Sequence, residues 1–261
     1  LSFKYFNFYY FKDDLNIKSS IFNICKYDYV SFLETLIQSE KVEFDFNSLF
    51  LIIKKRKIKK KYPLNNSFNY KETYRTPLFI ATKKANLEII RILLSIPTID
   101  VNSISSQQFY QHHGTFEKQN SINFWKNELF LKFQEGDSYE FKKLYTPLNI
   151  SVKNQNFEII ELLLSHPKID LNIKSVFQEW KFCGVNFEEI KENKDTPLLT
   201  SIKKNYLDIF NLLLKHPNIE INEKSIFKNG TIKKSNVFIR EINLTELSYS
   251  IDNDIYELFQ I

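Results

Sequence analysis

The densest chemistry in the chain is the run Lys54-Lys55-Arg56-Lys57-Ile58-Lys59-Lys60-Lys61, cationic at every position but Ile58. Such a run can hold phosphate or act as a nuclear import signal. It follows Leu49-Phe50-Leu51-Ile52-Ile53, so contact with an anionic membrane surface is a further reading. The plainest alternative is a solvated loop with no partner. Arg is confined to Arg56, Arg75, Arg91 and Arg240, and no aromatic residue alternates with the lysines. Both features weaken a nucleic-acid reading, because bidentate phosphate and guanine contacts favour Arg and single strands need stacking platforms.

Other reactive side chains are sparse. His112-His113 lack a neighbouring Cys or paired acid, so they make a poor zinc site. His166 and His216 each precede a proline at equivalent places, where a third copy has Ile96; a position that accepts Ile is structural. Cys25 falls at an apolar core position, and Cys183 beside Gly184 has no activating neighbour. Two cysteines make no disulfide framework, which points to a reducing compartment. Glu188, Glu189 and Glu192 cluster as solvated acids do. No Gly-rich phosphate loop, Gly-x-Ser-x-Gly elbow or His-Glu-x-x-His helix occurs. The expectation is a chain with no catalysis, no cofactor, no metal and no small-molecule substrate.

The elements that must position these groups repeat. Thr76–Asn102 reads TPLFIATKKANLEIIRILLSIPTIDVN, Thr146–Asn172 reads TPLNISVKNQNFEIIELLLSHPKIDLN and Thr196–Asn222 reads TPLLTSIKKNYLDIFNLLLKHPNIEIN. Thr is a good N-cap and Pro suits the first helical position, so Thr-Pro-Leu starts a helix three times. That helix is short, ending at Lys84, Lys153 and Lys203. After a polar turn, a second helix carries Leu87, Ile89, Ile90, Leu93 and Leu94, with counterparts at 157–164 and 207–214. These offsets form one apolar stripe, and Pro97, Pro167 and Pro217 end it. So small a pair cannot bury its stripe alone and must stack on a neighbour. Ser19–Asn47 reads as a weaker copy with Ser19 as its cap, Thr245–Ile261 as a truncated one, and residues 1–18 as the tail of a preceding repeat, since Asp14–Ser19 matches Asp170–Ser175. Leu1 is not an initiator, so the sequence reads as a fragment.

Thr-Pro-Leu, the Leu-Leu-Leu ending of the second helix and the closing Asp-x-Asn resemble ankyrin repeats. The family's usual His after Thr-Pro-Leu is replaced by Phe79, Asn149 and Leu199, and its usual Gly between the helices by Ala85, Gln155 and Asn205. The resemblance implies a mostly α fold: one helical repeat solenoid over residues 1–261 with extended loop or hairpin insertions. It implies a protein-protein interaction scaffold.

Ankyrin repeats recur about every 33 residues, but the Thr-Pro starts are unevenly and more widely spaced. The excess falls in inserts at 48–75, 103–145, 173–195 and 223–244, read as loops. Asn229-Gly230 lies between β-prone runs and reads as a hairpin turn. In Ser121–Phe133, Trp125 pairs with Leu129 and Phe130 with Phe133, which predicts a short amphipathic helix that packs on the array or offers Trp125 to a partner. The expected contacts are Lys54, Lys55, Arg56, Lys57, Lys59, Lys60, Lys61, Lys83, Lys84, Trp125, Lys153, Lys203 and Lys204. The partner is another protein, with nucleic acid and anionic membrane as lesser readings. The chain is expected to be monomeric, intracellular and cytoplasmic, with nuclear placement open through residues 54–61. Two alternatives stay open: the repeat region of a larger enzyme or channel whose active domain lies outside these residues, and a basic tether to nuclear cargo or membrane. Replacing Lys54–Lys61 by Ser should change cellular distribution if the tether reading holds; unchanged distribution would sink it.

Overall fold

The computed structural model describes residues 14–39, 45–58, 66–114, 137–183, 187–221, 225–233 and 236–244. Eight helices and eight strands are described in the order α1 (Asp14–Tyr27), α2 (Val30–Gln38), β1 (Phe50–Ile58), β2 (Asn66–Arg75), α3 (Pro77–Lys84), α4 (Leu87–Leu94), β3 (Ser105–Gly114), β4 (Asp137–Tyr145), α5 (Pro147–Lys153), α6 (Phe157–Leu164), β5 (Ser175–Cys183), β6 (Phe187–Asp195), α7 (Pro197–Lys203), α8 (Leu207–Leu214), β7 (Ser225–Lys233) and β8 (Asn236–Leu244).

The helix pairs form as the repeats dictate. Thr76, Thr146 and Thr196 accept the backbone N–H of Phe79, Asn149 and Leu199 on their hydroxyls, and Pro follows each at the first helical position. Asn149 closes a capping box by accepting the Thr146 N–H at 3.0 Å, which satisfies two orphan donors reciprocally. Ala85, Gln155 and Asn205 then turn the chain with positive φ of 61, 55 and 55°. Glycine would adopt that geometry without crowding its Cβ. The second helices bury Ile89, Ile90 and Leu93, then Ile159, Ile160 and Leu163, then Ile209, Phe210 and Leu213. With Leu78, Leu148, Leu198 and the tail residues Val101 and Leu171 they make one continuous core, joined by Ile21, Cys25 and Leu33 from α1 and α2. First helices pack in the series α1, α3, α5, α7, and second helices contact across α2–α4 and α6–α8.

The expectation of a mostly α fold is overturned. The inserts read as loops form a single antiparallel sheet in the order β1-β2-β3-β4-β5-β6-β7-β8. Each insert is a hairpin, and each hairpin pairs with the next across a helix pair, as β2 does with β3 through Tyr70↔Tyr110. Their residues alternate in the period of two that lets a strand present two different faces. Residues 54–58, expected in a loop, belong to β1. Asn229-Gly230 lies inside β7, with Gly230 opposite both Ile190 and Ile239, and forms no hairpin turn. A strand flanked on both sides is held by two ladders, and these outweigh a local turn preference. Asp14–Ser19 begins α1 and does not repeat the course of Asp170–Ser175, so Ser19 sits inside a helix and not at its N-cap position. The helix expected over Ser121–Phe133 lies outside the described residues.

Polar side chains tie the repeats together along the tails. The Asn102 amide donates to the Lys168 carbonyl at 2.7 Å and accepts from the Asp170 N–H at 3.0 Å. Asn47 does the same to Thr98 and Asp100, and Asn172 to Asn218 and Glu220. Asp100 and Asp170 in turn accept the N–H of Asn102 and Asn172, holding each clamp in place. Replacing Asn102 by Ala leaves one carbonyl and one N–H without their partner. Urea unfolding should show a loss of about 1–3 kcal/mol; an unchanged midpoint would show that the clamp contributes nothing.

Candidate binding face

Strand alternation sorts the sheet residues onto two faces. One face carries Arg75, Thr73 and Lys71 of β2, Gln107 and Phe109 of β3, and Tyr145, Lys143, Phe141 and Tyr139 of β4. It continues through Phe177, Glu179 and Lys181 of β5 and Asp195, Asn193, Lys191 and Glu189 of β6. This face adjoins the first helices. Lys153, at the end of α5, donates to the Tyr145 hydroxyl at 2.7 Å with its ammonium 4.7 Å from that ring centre, and Lys203, at the end of α7, reaches Asp195 at 2.7 Å. The opposite face holds Glu72, buried beneath the hydroxyls of Tyr70 and Tyr74, which donate to it at 3.3 and 3.1 Å. On the same face Tyr110 of β3 donates to Gln108, and, farther along the sheet, Gln178 of β5 donates to Glu192 of β6. Most described sheet side chains on both faces are half-buried, so the sheet is a single layer fastened at its base to the helices.

Cross-strand contacts hold such a layer. On the first-helix face, Phe109 stacks on Phe141 with centroids 5.1 Å apart and planes 17° apart, and Tyr139 meets both rings edge-on. The Lys143 ammonium lies 4.4 Å from the Phe141 centroid and 5.1 Å from that of Phe177.

Charge is distributed unequally over this face. At β5 and β6 it is paired: Lys181 with Glu179 and Glu189, Lys191 with Glu189, and Lys203 with Asp195. At β1 to β4, Lys54 stands opposite Lys71, with Arg75 on the same strand and Lys143 two strands beyond. The Lys83 ammonium is held down to about 8, first by desolvation, then by Arg75, Lys71, Lys153 and Lys84. Lys71 is lowered by desolvation, Arg75 and Lys54, and Lys143 by desolvation, Lys153 and Lys71.

The expected contact residues are only partly gathered here. Lys54 is exposed on β1, and Lys55, Arg56 and Lys57 follow it in the same strand. Lys83, Lys84, Lys153 and Lys204 are exposed at the C-terminal ends of the first helices, where a cation also complements the helix dipole. Lys203 is half-buried and paired with Asp195. Lys59, Lys60, Lys61 and Trp125 lie outside the described residues. The first helices themselves expose little besides these lysines, because Pro77–Thr82 and Pro147–Val152 are buried. The sheet supplies the surface, and Lys71, Arg75, Phe109, Phe141 and Lys143 went unnoticed in the sequence. Their signal was the alternation Tyr139, Phe141, Lys143, Tyr145.

The remaining candidates are structural. Cys25 is buried and its thiol is pushed up to about 12 by desolvation. The Nδ1 atoms of His166 and His216 accept the N–H of Lys168 and Asn218, closing the turn after the second helix. His112 and His113 occupy β3, and among the described residues no group of three or more His, Cys, Asp or Glu is placed to hold a metal ion. Among them, too, no helix is long and apolar enough to cross a membrane.

Because Lys83 has a lower pKa folded than its ordinary 10.5, the unfolded chain binds more protons between about pH 8 and 10.5, and this group's contribution to stability rises with pH across that window. Lys83→Met should therefore melt higher than the parent at about pH 7, with the gap narrowing by about pH 9.5. A gap of the same size at both values would show that folding does not hold the Lys83 ammonium down.

A family model for ankyrin repeats in three copies matches residues 127–225. The matched span holds the pairs α5–α6 and α7–α8, and α3–α4 precedes it with the same cap, turn and buried stripe. No curated protein matches the chain. Ankyrin repeats are generally modules of protein-protein interaction and typically non-catalytic, and residues 127–225 are a region of such repeats.

Proposed function

We propose that the chain is a non-catalytic scaffold that binds another protein along the first-helix face of its sheet, acting as a monomer inside the cell. The observation that carries this reading is the continuity of that face. Hairpins from successive repeats pair into one surface, and the helices beneath fix its base through contacts such as Lys153–Tyr145 and Lys203–Asp195. A nine-residue strand reaches about 30 Å from its base, so the eight strands offer an area of the order that stable protein interfaces use. Aromatic residues with lysine at their edges, as at Phe109, Phe141 and Lys143, suit an interface in which apolar contact supplies affinity and charge supplies specificity.

The test is capture from cell lysate on the immobilised chain, with competition by excess soluble chain. Gln107→Trp, which places bulk on the first-helix face, should abolish retention of the competed protein. Glu161→Trp and Asp208→Trp, on the outer helices α6 and α8, should leave it. Failure to retain any competed protein, or loss with the outer-helix changes alone, would overturn the reading.

A further inference from the structure

We infer that the partner presents an acidic, carboxylate-rich segment to a basic site formed by Lys71, Arg75, Lys83, Lys143 and Lys153; this rests on the scaffold reading above and names the chemistry of its partner. The repeat itself supplies the comparison. The residue before each Thr-Pro faces the lysine in the last turn of the following helix, seven residues after the Thr, and the three copies treat that pair differently. In the third copy Asp195 neutralises Lys203 at 2.7 Å. In the second, Tyr145 gives Lys153 a hydroxyl acceptor and a ring but no charge. In the first, the place of the acid is taken by Arg75, set beside Lys83. The fold can neutralise this lysine, and at the first copy it adds a second cation.

The neighbouring strands extend the pattern. Lys71 lies on the same strand face as Arg75 and is paired across the ladder with Lys54. Lys143 sits in the row of Thr73 and Gln107. The five cations thus ring Thr73 and Gln107, and among the described residues no acid forms an ion pair with any of them. Like charges gathered on one half-desolvated face repel, and a bound anion relieves that repulsion. β5 and β6, with the same architecture, carry their own acids and need none.

A carboxylate-rich peptide fits this site better than nucleic acid or a lipid surface. Phe109 and Phe141 stack on each other, and Phe177 and Tyr145 each already hold a lysine ammonium against the ring, so these rings are engaged within the face and make poor base platforms. The cations are mostly Lys, where bidentate phosphate recognition favours Arg. Lys71, Arg75 and Lys143 stand on the strands between their middle and the end next to the helices, whereas a flat membrane would meet the far tips of the sheet first.

The experiment is fluorescence anisotropy of labelled poly-L-glutamate titrated with the chain, with an oligothymidylate and phosphatidylserine vesicles as parallel arms. The parent should bind poly-L-glutamate with an affinity that falls steeply with salt. Lys71→Gln with Lys83→Gln should weaken binding roughly tenfold. Lys168→Gln with Lys215→Gln, an equal charge change at exposed sites elsewhere, should stay within about twofold. The cluster variant should melt no lower than the parent, since it removes repulsion; if it does melt lower, Lys83→Gln alone carries the comparison. Equal weakening by both pairs, no weakening by the cluster pair, or tighter binding of the oligothymidylate or the vesicles through the same residues would each overturn the inference. A protein captured from lysate that the cluster variant retains undiminished would also overturn it while leaving the scaffold reading intact, whereas poly-L-glutamate binding at the cluster with no protein captured would count against the scaffold reading alone.

Discussion

Two hydrogen-bonded strands occupy about 9.5 Å across a sheet, and packed helices stand about 8–10 Å apart. The structure depends on this agreement. Each repeat advances the helix stack by one pair and the sheet by one hairpin, and the two advances match closely enough for both layers to continue without a break. Were they unequal, the ladder between β2 and β3 or between β4 and β5 would have to part, and the hairpins would stand singly. An isolated hairpin is marginal in water. Eight strands in one ladder can hold although both faces meet solvent.

Small polar groups keep that spacing. The side chains of Asn47, Asn102 and Asn172 each bridge one carbonyl and one N–H of the following tail, so the distance between tails is set by a bidentate amide. At the helix starts, the position two residues after each Thr-Pro holds two different solutions. Asn149 completes a capping box and donates to the Ile173 carbonyl, while Phe79 and Leu199 are buried as apolar packing. The repeats are connected through the tails and the strand ladders. The left-handed turns at Ala85, Gln155 and Asn205 show that the backbone adopts this geometry without the glycine best suited to it.

Sequence periodicity disclosed the three Thr-Pro-Leu helix pairs, but not that Asp14–Ser19 begins a helix. Thr-Pro-Leu specifies a cap locally, and the stripe Ile89, Ile90, Leu93 needs only the neighbouring copy to be explained. The sheet was hidden because its strands bury no clean face. Gln107, Gln108, Lys142 and Lys143 read as loop, and only pairing across as many as four neighbouring strands turns them into structure. Asn229-Gly230 misled for the same reason, a local turn preference being set against two long-range ladders. The repeated lysines Lys83, Lys153 and Lys203 were legible as exposed cations. That Arg75, Tyr145 and Asp195 would stand opposite them follows from the fold and could not be seen along the chain.

The single-layer sheet carries a consequence for how such a surface can diversify. Consecutive residues of a strand belong to opposite faces, so Glu72 and Tyr70 lie under one surface while Lys71 and Thr73 shape the other. In a sheet packed against a core, half of these positions are locked by volume. Here most described positions on both faces are only half-buried, Glu72 and Thr73 being buried exceptions, and a change at an odd or an even position alters one surface while the ladder between backbones is left alone. The same few residues can therefore drift toward two separate specificities, back to back, without renegotiating the helices that hold them.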